Sequence, residues 1–380
     1  MPNEQEVNVH MVRKTTSRLA DGRELIYFDD TEPYVSAAAV REAVDVRPLS
    51  PREPAPRSAA STRRDPVSGE WVTIAAHRMD RTFLPPADES PLAPTGPGQK
   101  VPGEIPDTSY NVVVFENRFP SLEGPPTTYR DEPLRQERSA SGRCEVICFT
   151  DNPATSFAEL PLSRVRTIVE ALTDRTRELS ALDGVRQVFP FENRGEEIGV
   201  TLHHPHGQIY AYPFLPARTQ ALVEQSIQHK QQTGRKLLDD VVAVECAEGT
   251  RVVLETEHFV GFVPFAAKWP VHVQLHPRRD VADLTELRDE ERADLAVAYR
   301  ELLRRLDRFF DRPLPYIANW QQAPVGEGRD HGRLYIELFS LLRSPTKLKY
   351  LAGSESAAGA WINDTTPEAI ADRLREVATQ

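Results

Sequence analysis

Apolar residues run unbroken or alternate with polar ones at several places along the chain, and each such place predicts a strand. YNVVVFEN (110–117) and RCEVICF (143–149) are rich in β-branched and aromatic residues and are assigned to one sheet. The spacing then becomes helical. Within 159–183 the apolar positions are Val165, Ile168, Val169, Leu172, Leu179 and Leu182, three or four residues apart, and Gly184 stands where such a helix would stop. A strand, VRQVFPFEN, follows. The second half repeats this order: a strand pair, RVVLETEHFVGFVPF and PVHVQLHP, precedes a helix over about 287–310 with Leu295, Tyr299, Leu302, Leu306 and Phe310 on one face, and PYIANW is again a strand. Each strand that follows a helix reaches an asparagine, Asn193 before Arg194 and Asn319 before Trp320. The pattern predicts an α+β chain of two related units, 61–218 and 219–380, joined in one compact protomer, with antiparallel sheets flanked by helices.

Proline marks off the remainder. Eighteen of the 32 prolines precede residue 135. The cluster VRPLSPREPAPRSAAST predicts extended, weakly packed chain, so residues 1–60 are assigned to a peripheral N-terminal segment. PPADESPLAPTGPGQKVPGEIP (85–106) reads as a long loop.

Composition narrows the function classes. The 380 residues include 39% hydrophobic and 27% charged, which excludes a wholly disordered chain. A net charge of −11 shows no basic face for nucleic acid, although a local basic cluster could still bind a small anion. Three cysteines, Cys144, Cys148 and Cys246, are too few for a disulfide framework and suit a reducing compartment. Cys144, Val146 and Cys148 share one face of their strand, a spacing that favours core packing over a metal or redox role. No stretch reaches the ~20 apolar residues of a membrane span, and the N-terminus lacks the apolar core of a secretion signal. A cytoplasmic protein without nucleic-acid or membrane partners is expected.

The segment GVTLHHPHGQIYAYPFLP (199–216) carries the chemistry. Its three histidines, His203, His204 and His206, lie within four positions. In an extended strand His204, His206 and Gln208 would line one face, and Gly207 would let a bulky tetrahedral group approach His206 closely. Neutral imidazole can attack phosphorus directly if a neighbour fixes its tautomer, and the Gln208 amide could donate to a phosphate oxygen. Metal binding and a structural histidine cluster are the competing readings of the same residues. His272 and His276 share a strand face in PVHVQLHP, a spacing that would suit a metal but more often belongs to a packed or surface strand.

HPHGQ, preceded by FENRGEEIG, resembles the active-site signature of the galactose-1-phosphate uridylyltransferase family in the histidine-triad superfamily. The likeness extends through GEWVTIAAHRMDR, VVFENRFP, VICFTDN, TEHFVGFVPFAAKWP and LLRSPTKLKYLAG to the tail, and glutamine as the last residue of H-x-H-x-Q is the form of the transferase branch. It implies two histidine-triad-like units, only the first catalytic. It also implies that His206 is the nucleophile toward the α-phosphorus of UDP-glucose and Gln208 the phosphate anchor, both catalytic, with galactose 1-phosphate as acceptor. The implied binding set is Arg78, Arg81, Asn117, Phe119, Asn193, Thr201, His204, Lys349 and Glu355. Of these, Asn193 and Thr201 match nucleotide-phosphate contacts, Asn117 and Phe119 the uracil and ribose surroundings, and Arg78 and Arg81 a basic pair near phosphate. His204 matches a structural zinc position, and Lys349 and Glu355 lie near the hexose.

Departures from the family pattern fall at its metals. Pro91 and Pro94 stand where relatives have a C-x-x-C pair, and Pro153 where they have a histidine, so only His204 remains of the zinc set. At a second metal site Gln321, Tyr335 and Glu337 replace histidines, and Leu222 replaces a glutamate. No structural zinc, no iron and no other cofactor are therefore expected. A homodimer is implied by the resemblance. Two alternatives stand beside the transferase: a dinucleoside polyphosphate phosphorylase or related nucleotidyltransferase, and a non-catalytic nucleotide sensor.

Overall fold

The structure, a computed structural model, describes residues 10–47, 60–78, 90–96 and 103–379. Its main feature is one sheet of eleven strands: β1 (Arg13–Arg18), β2 (Glu24–Asp29), β5 (Val112–Glu116), β8 (Arg143–Cys148), β9 (Gln187–Arg194), β10 (His206–Tyr212), β11 (Val252–Glu255), β12 (Phe259–Phe262), β13 (Val271–Pro277), β14 (Tyr316–Gln321) and β15 (Tyr335–Ser340). Their spatial order is β1-β2-β5-β8-β10-β9-β14-β15-β13-β12-β11. Every neighbouring pair is antiparallel. A four-stranded sheet holds β3 (Ser61–Arg64), β4 (Trp71–Ile74), β6 (Thr128–Glu132) and β7 (Arg135–Ser139), and a two-stranded one holds β16 (Leu342–Ser344) and β17 (Lys347–Leu348).

The main sheet reads alike in both directions from the β9–β14 junction. Moving outward, β10, β8 and β5 on one side answer β15, β13 and β12 on the other. The helix between β8 and β9, α1 (Leu162–Ser180), answers α4 (Asp289–Arg308) between β13 and β14. The repeated order expected from the periodicity is thus visible as two half-sheets, but they form a single continuous sheet rather than two.

Both helices pack on the same face of the sheet and on one another. Val165, Ile168, Val169, Leu172 and Leu179 of α1, and Leu295, Tyr299, Leu302 and Leu306 of α4, are buried in one cluster with Ile147, Ile209, Val273, Ala318 and Leu338 of the sheet. Burying each large aliphatic side chain there is worth ~1.5–3 kcal/mol. Leu182 lies beyond the end of α1 and is 40% exposed.

Residues 1–60 need correction as a peripheral segment. The described part supplies β1 and β2, and Leu25, Ile26, Tyr27 and Phe28 of β2 are at most 3% exposed. The strand is buried because β5 pairs with its far edge through the register Ile26↔Val114, and ELIYF is apolar enough to be covered on both faces. Four further helices complete the chain: α2 (Ala217–Thr233), α3 (Leu237–Glu248), α5 (Gly353–Ser356) and α6 (Pro367–Glu376). Among the described residues no helix is long and apolar enough to cross a membrane.

Candidate active site

Strand β10 starts at His206, not at His204, because Pro205 has no N–H to give to the ladder. His206, Gln208, Tyr210 and Tyr212 occupy the half-buried face, while Ile209 and Ala211 enter the core under the helices. His204 precedes the ladder, yet its ring is on the same side of the sheet as His206, because His206 pairs with Cys148 and Cys148 packs with Tyr110, the partner of the His204 ring. It lies before the strand, 1% exposed, and burial lowers its pKa to about 4, with the neighbouring His206 pushing the same way.

The backbone at His204 fixes the orientation of the His206 ring. His206 Nδ1 is 2.7 Å from the carbonyl oxygen of His204. A carbonyl only accepts, so Nδ1 carries the proton and Nε2 of the neutral ring carries the lone pair. The adjacent Gly207 is explained by the core rather than by substrate access. A Cβ there would come within 2.9 Å of the Phe191 carbonyl oxygen, 3.0 Å of the Phe149 ring and 3.3 Å of Ile147, all on the helix-facing side.

His206 and Gln208 line a cavity of about 730 Å³ on the open face of the sheet. Several other segments meet there. The 3-10 turn Ala76–Arg78, which leaves β4, brings Arg78. The end of β5 brings Asn117, Arg118 and Phe119, β9 brings Asn193, and the loop before β10 brings Thr201. Asn117 Oδ1 accepts from the Phe119 backbone N–H at 2.9 Å, an Asx turn that ends the strand and turns the Phe119 ring toward the opening. Tyr210 Oη donates to Gln208 Oε1 at 3.2 Å, which leaves the glutamine NH₂ as its donor group.

Of the residues singled out from the sequence, Arg78, Asn117, Phe119, Asn193, Thr201, His206 and Gln208 are brought together around this cavity. Arg81 lies outside the described residues. Lys349 and Glu355 do not line the cavity of their own chain. They form a buried pair at 2.7 Å, with Lys349 Nζ also donating to the Ile362 carbonyl oxygen at 2.6 Å. Arg118 was not foreseen, although it stands inside FENRF. It brings a second cation to the cavity wall, 4.0 Å from Glu104 and 58% exposed.

The donors around His204 do not fit zinc. Its Nε2 is 2.7 Å from the Thr150 carbonyl oxygen and 2.8 Å from Tyr110 Oη, and Tyr110 Oη donates to the Leu92 carbonyl oxygen at 2.8 Å. Zinc takes anionic sulfur, imidazole nitrogen or carboxylate oxygen in a tetrahedral set. Here the surrounding groups are two backbone carbonyls, a phenol and the Cys148 thiol, which burial keeps protonated, and no group of three His, Cys, Asp or Glu placed to hold a metal ion occurs among the described residues. At the second departure Glu337 accepts both nitrogens of the Arg218 guanidinium at 3.0 and 3.1 Å, so a side-chain cation stands on the carboxylate. His272 Nε2 is 3.0 Å from the same carboxylate, and His276 is stacked between Phe262 and Tyr335 at 4.8 and 4.9 Å. Cys144 and Cys148 are free, buried thiols whose pKa values are raised by that burial.

Residues 51–216 match the family model described as galactose-1-phosphate uridyl transferase, N-terminal domain, and residues 222–380 match that of its C-terminal domain. The chain is 45% identical to a galactose-1-phosphate uridylyltransferase of Streptomyces lividans, over 97% of this chain and 98% of that one. It is 36% identical to a protein of the same name from Thermotoga maritima, over 84% and 98%. A solved uridylyltransferase structure superposes with a TM-score of 0.75 at 32% identity, covering 84% of this chain and 98% of that one.

Proposed function

Because this chain belongs to the galactose-1-phosphate uridylyltransferase family, we propose that it is a UDP-glucose:hexose-1-phosphate uridylyltransferase working by a ping-pong route through uridylyl-His206. His206 Nε2 attacks the α-phosphorus of UDP-glucose. The P–N bond forms as the bond from that phosphorus to the bridging oxygen breaks, and glucose 1-phosphate leaves with the bridging oxygen. A phosphate oxygen of galactose 1-phosphate then attacks the same phosphorus, the P–N bond breaks, and UDP-galactose forms as the imidazole is regenerated. The observation that carries this reading is the 2.7 Å bond from His206 Nδ1 to the His204 carbonyl, which holds the lone pair at Nε2 before substrate arrives.

The cavity supplies the rest of the chemistry. Gln208 donates a neutral N–H to a non-bridging oxygen as charge builds in the transition state. Asn193 and Thr201 take the nucleotide phosphates, Arg78 and Arg118 balance the diphosphate charge, and Asn117 with Phe119 receives uracil and ribose. Arg81 and His204 complete the assignment, Arg81 as the partner of Arg78 and His204 as the buried support beneath the strand.

In this reading the first unit (61–218) is catalytic, the second (219–380) is not, and the protein works in the cytoplasm as a homodimer. Lys349 and Glu355 of one copy then complete the hexose site of the other. Support comes from their separation from the cavity of their own chain and from the exposed apolar residues flanking them, Tyr350, Leu351 and Ile362.

Incubation with UDP-glucose labelled at the α-phosphate should leave base-stable, acid-labile label on the protein, and His206→Ala should leave none. Label that survives that substitution refutes the covalent route. Faster turnover of diadenosine tetraphosphate than of UDP-glucose points to a phosphorylase, and tight UDP binding without any turnover points to a sensor.

A further inference from the structure

We propose that Tyr110 is a positioning residue for His206, at the centre of a metal-free clasp that ties three loops to the start of the catalytic strand. Its hydroxyl lies against the buried Cys148 thiol and bridges two further partners. Tyr110 Oη gives its proton to the Leu92 carbonyl oxygen at 2.8 Å and accepts from His204 Nε2–H at 2.8 Å. The same Nε2–H is shared with the Thr150 carbonyl oxygen at 2.7 Å. One phenol proton and one imidazole proton thus serve two buried carbonyls and one hydroxyl oxygen. The remaining ring atom, His204 Nδ1, is buried without a hydrogen-bond partner. An unpartnered nitrogen in that position carries a lone pair and not a proton, which agrees with a ring whose pKa is lowered to about 4.

The clasp reaches the chemistry through two backbone carbonyls. His204, held from its side chain, offers its carbonyl oxygen to His206 Nδ1 at 2.7 Å, and the Pro205 carbonyl oxygen accepts from Phe149 N–H at 3.1 Å. The loop at Leu92, the residue leading into β5, the loop at Thr150 and the residues just before β10 therefore meet at the Tyr110 hydroxyl and the His204 ring. The Tyr110 ring is 2% exposed and packs with Leu92, Ile105, Phe115 and Cys148, so its hydroxyl cannot swing away to solvent. Residues 79–102 contain no cysteine or histidine that could bring a metal to this point. Neutral hydrogen bonds join these segments, and they leave the imidazole of His204 uncharged beside the nucleophile.

The inference rests on the proposed role of His206, and its test separates the two. Tyr110→Phe keeps the ring and its packing and removes only the bridging oxygen. It should lower kcat for UDP-glucose and galactose 1-phosphate by about 10- to 100-fold, the range for losing an outer support of a reactive side chain, with KM for UDP-glucose changed less than about threefold. A kcat within twofold of the unaltered protein, alongside a lower unfolding midpoint, reduces Tyr110 to a packing role and overturns the proposal. Histidine ¹⁵N shifts supply a readout independent of turnover: His206 should be the Nδ1–H tautomer in the unaltered protein and a mixture of tautomers in Tyr110→Phe. An inactive unaltered protein that shows this shift change removes the uridylyltransferase reading and keeps the clasp. Unaltered protein purified without chelator should contain less than about 0.1 zinc per chain and keep its activity after dialysis against EDTA. One zinc per chain, with activity lost on its removal, overturns the clasp whether or not the variant folds.

Discussion

Strands β10 and β15 hold matching places on either side of the β9–β14 junction, yet one borders an open cavity and the other is sealed. Their outward residues even share a row: Gln208 pairs with Phe191, Phe191 with Asn319, Asn319 with Glu337 and Glu337 with Gln274 across four ladders. On β10 the row presents a histidine, an amide and space. On β15 it presents a carboxylate whose oxygens are filled by Arg218, His272 and Asn319, and Glu337 is 1% exposed. Arg218 belongs to the first turn of α2, directly after β10. The chain that leaves β10 thus covers the face of its counterpart. A sheet face becomes a site only where the rest of the chain leaves it uncovered.

The largest expected effect tests that asymmetry at the histidines. His206→Ala should lower kcat by ~10⁴-fold or more, as loss of a covalent nucleophile does, while His272→Ala should leave kcat within about threefold. Comparable losses in the two variants would mean that both faces take part in the reaction. Next comes Arg218→Met, which leaves Glu337 buried with too few donors and should cost about 3 kcal/mol in urea unfolding near pH 7. Burial by itself would raise the pKa of Glu337, but the His272 hydrogen bond and the Arg218 guanidinium outweigh it and hold the carboxyl well below its ordinary range. The stability it contributes is therefore present above an ordinary glutamate pKa and lost as pH falls below it. The gap between variant and unaltered protein should narrow on acidification from pH 5 to pH 3; a gap that stays constant would assign the cost to packing.

The seam between the halves titrates in the opposite sense. Glu192 faces the helices from β9, and burial raises its pKa to about 7, against the lowering influence of Tyr316 Oη at 2.9 Å and of Arg194. A raised carboxyl stabilises the fold fully below its unfolded pKa, and that contribution is lost as pH rises through about 7. Glu192→Gln should flatten the pH dependence of stability between pH 5 and 8.5 by at most about 3 kcal/mol, at 1.36 kcal/mol per pKa unit. Urea midpoints that fall equally with pH in both proteins would place the titrating group elsewhere.

What could be read from the sequence follows from where each partner lies. α1 and α4 were legible because their apolar positions repeat at helical spacing, a local property. HPHGQ was legible because its chemistry is compressed into five residues. α2 gave no such stripe, since only Thr219, Val223 and Ser226 are buried in it. Strand alternation puts His204 on the side of His206, and its ring does lie there, although Pro205 delays the start of the ladder to His206. Tyr110 gave no signal, because its partners, Leu92 and His204, are 18 and 94 residues away. A tyrosine leading into an apolar strand reads as core until those partners are in place.

The smallest effect separates two explanations of Gly207, and with them the inner faces of the two strands. On β15 the inward positions carry full side chains, Ile336 and Leu338, both in the core. On β10 one inward position is glycine, and the Phe149 ring and the Phe191 carbonyl oxygen lie within about 3.0 Å of where its Cβ would stand. If glycine were needed for phosphate access, Gly207→Ala would spare stability, or raise it by the ~0.5–1 kcal/mol that alanine gains over glycine in regular structure, and would lower affinity for UDP-glucose. If the core requires glycine, the methyl group displaces Phe149 or opens the β9–β10 ladder, at a cost of ~1–3 kcal/mol for overpacking. The two terms partly cancel, so the core explanation gives a net loss of about 1 kcal/mol. The displacement is also passed to His206 one residue away, which should lower kcat a few-fold with KM little changed. A stabilised protein with weaker UDP-glucose binding would reinstate the access explanation.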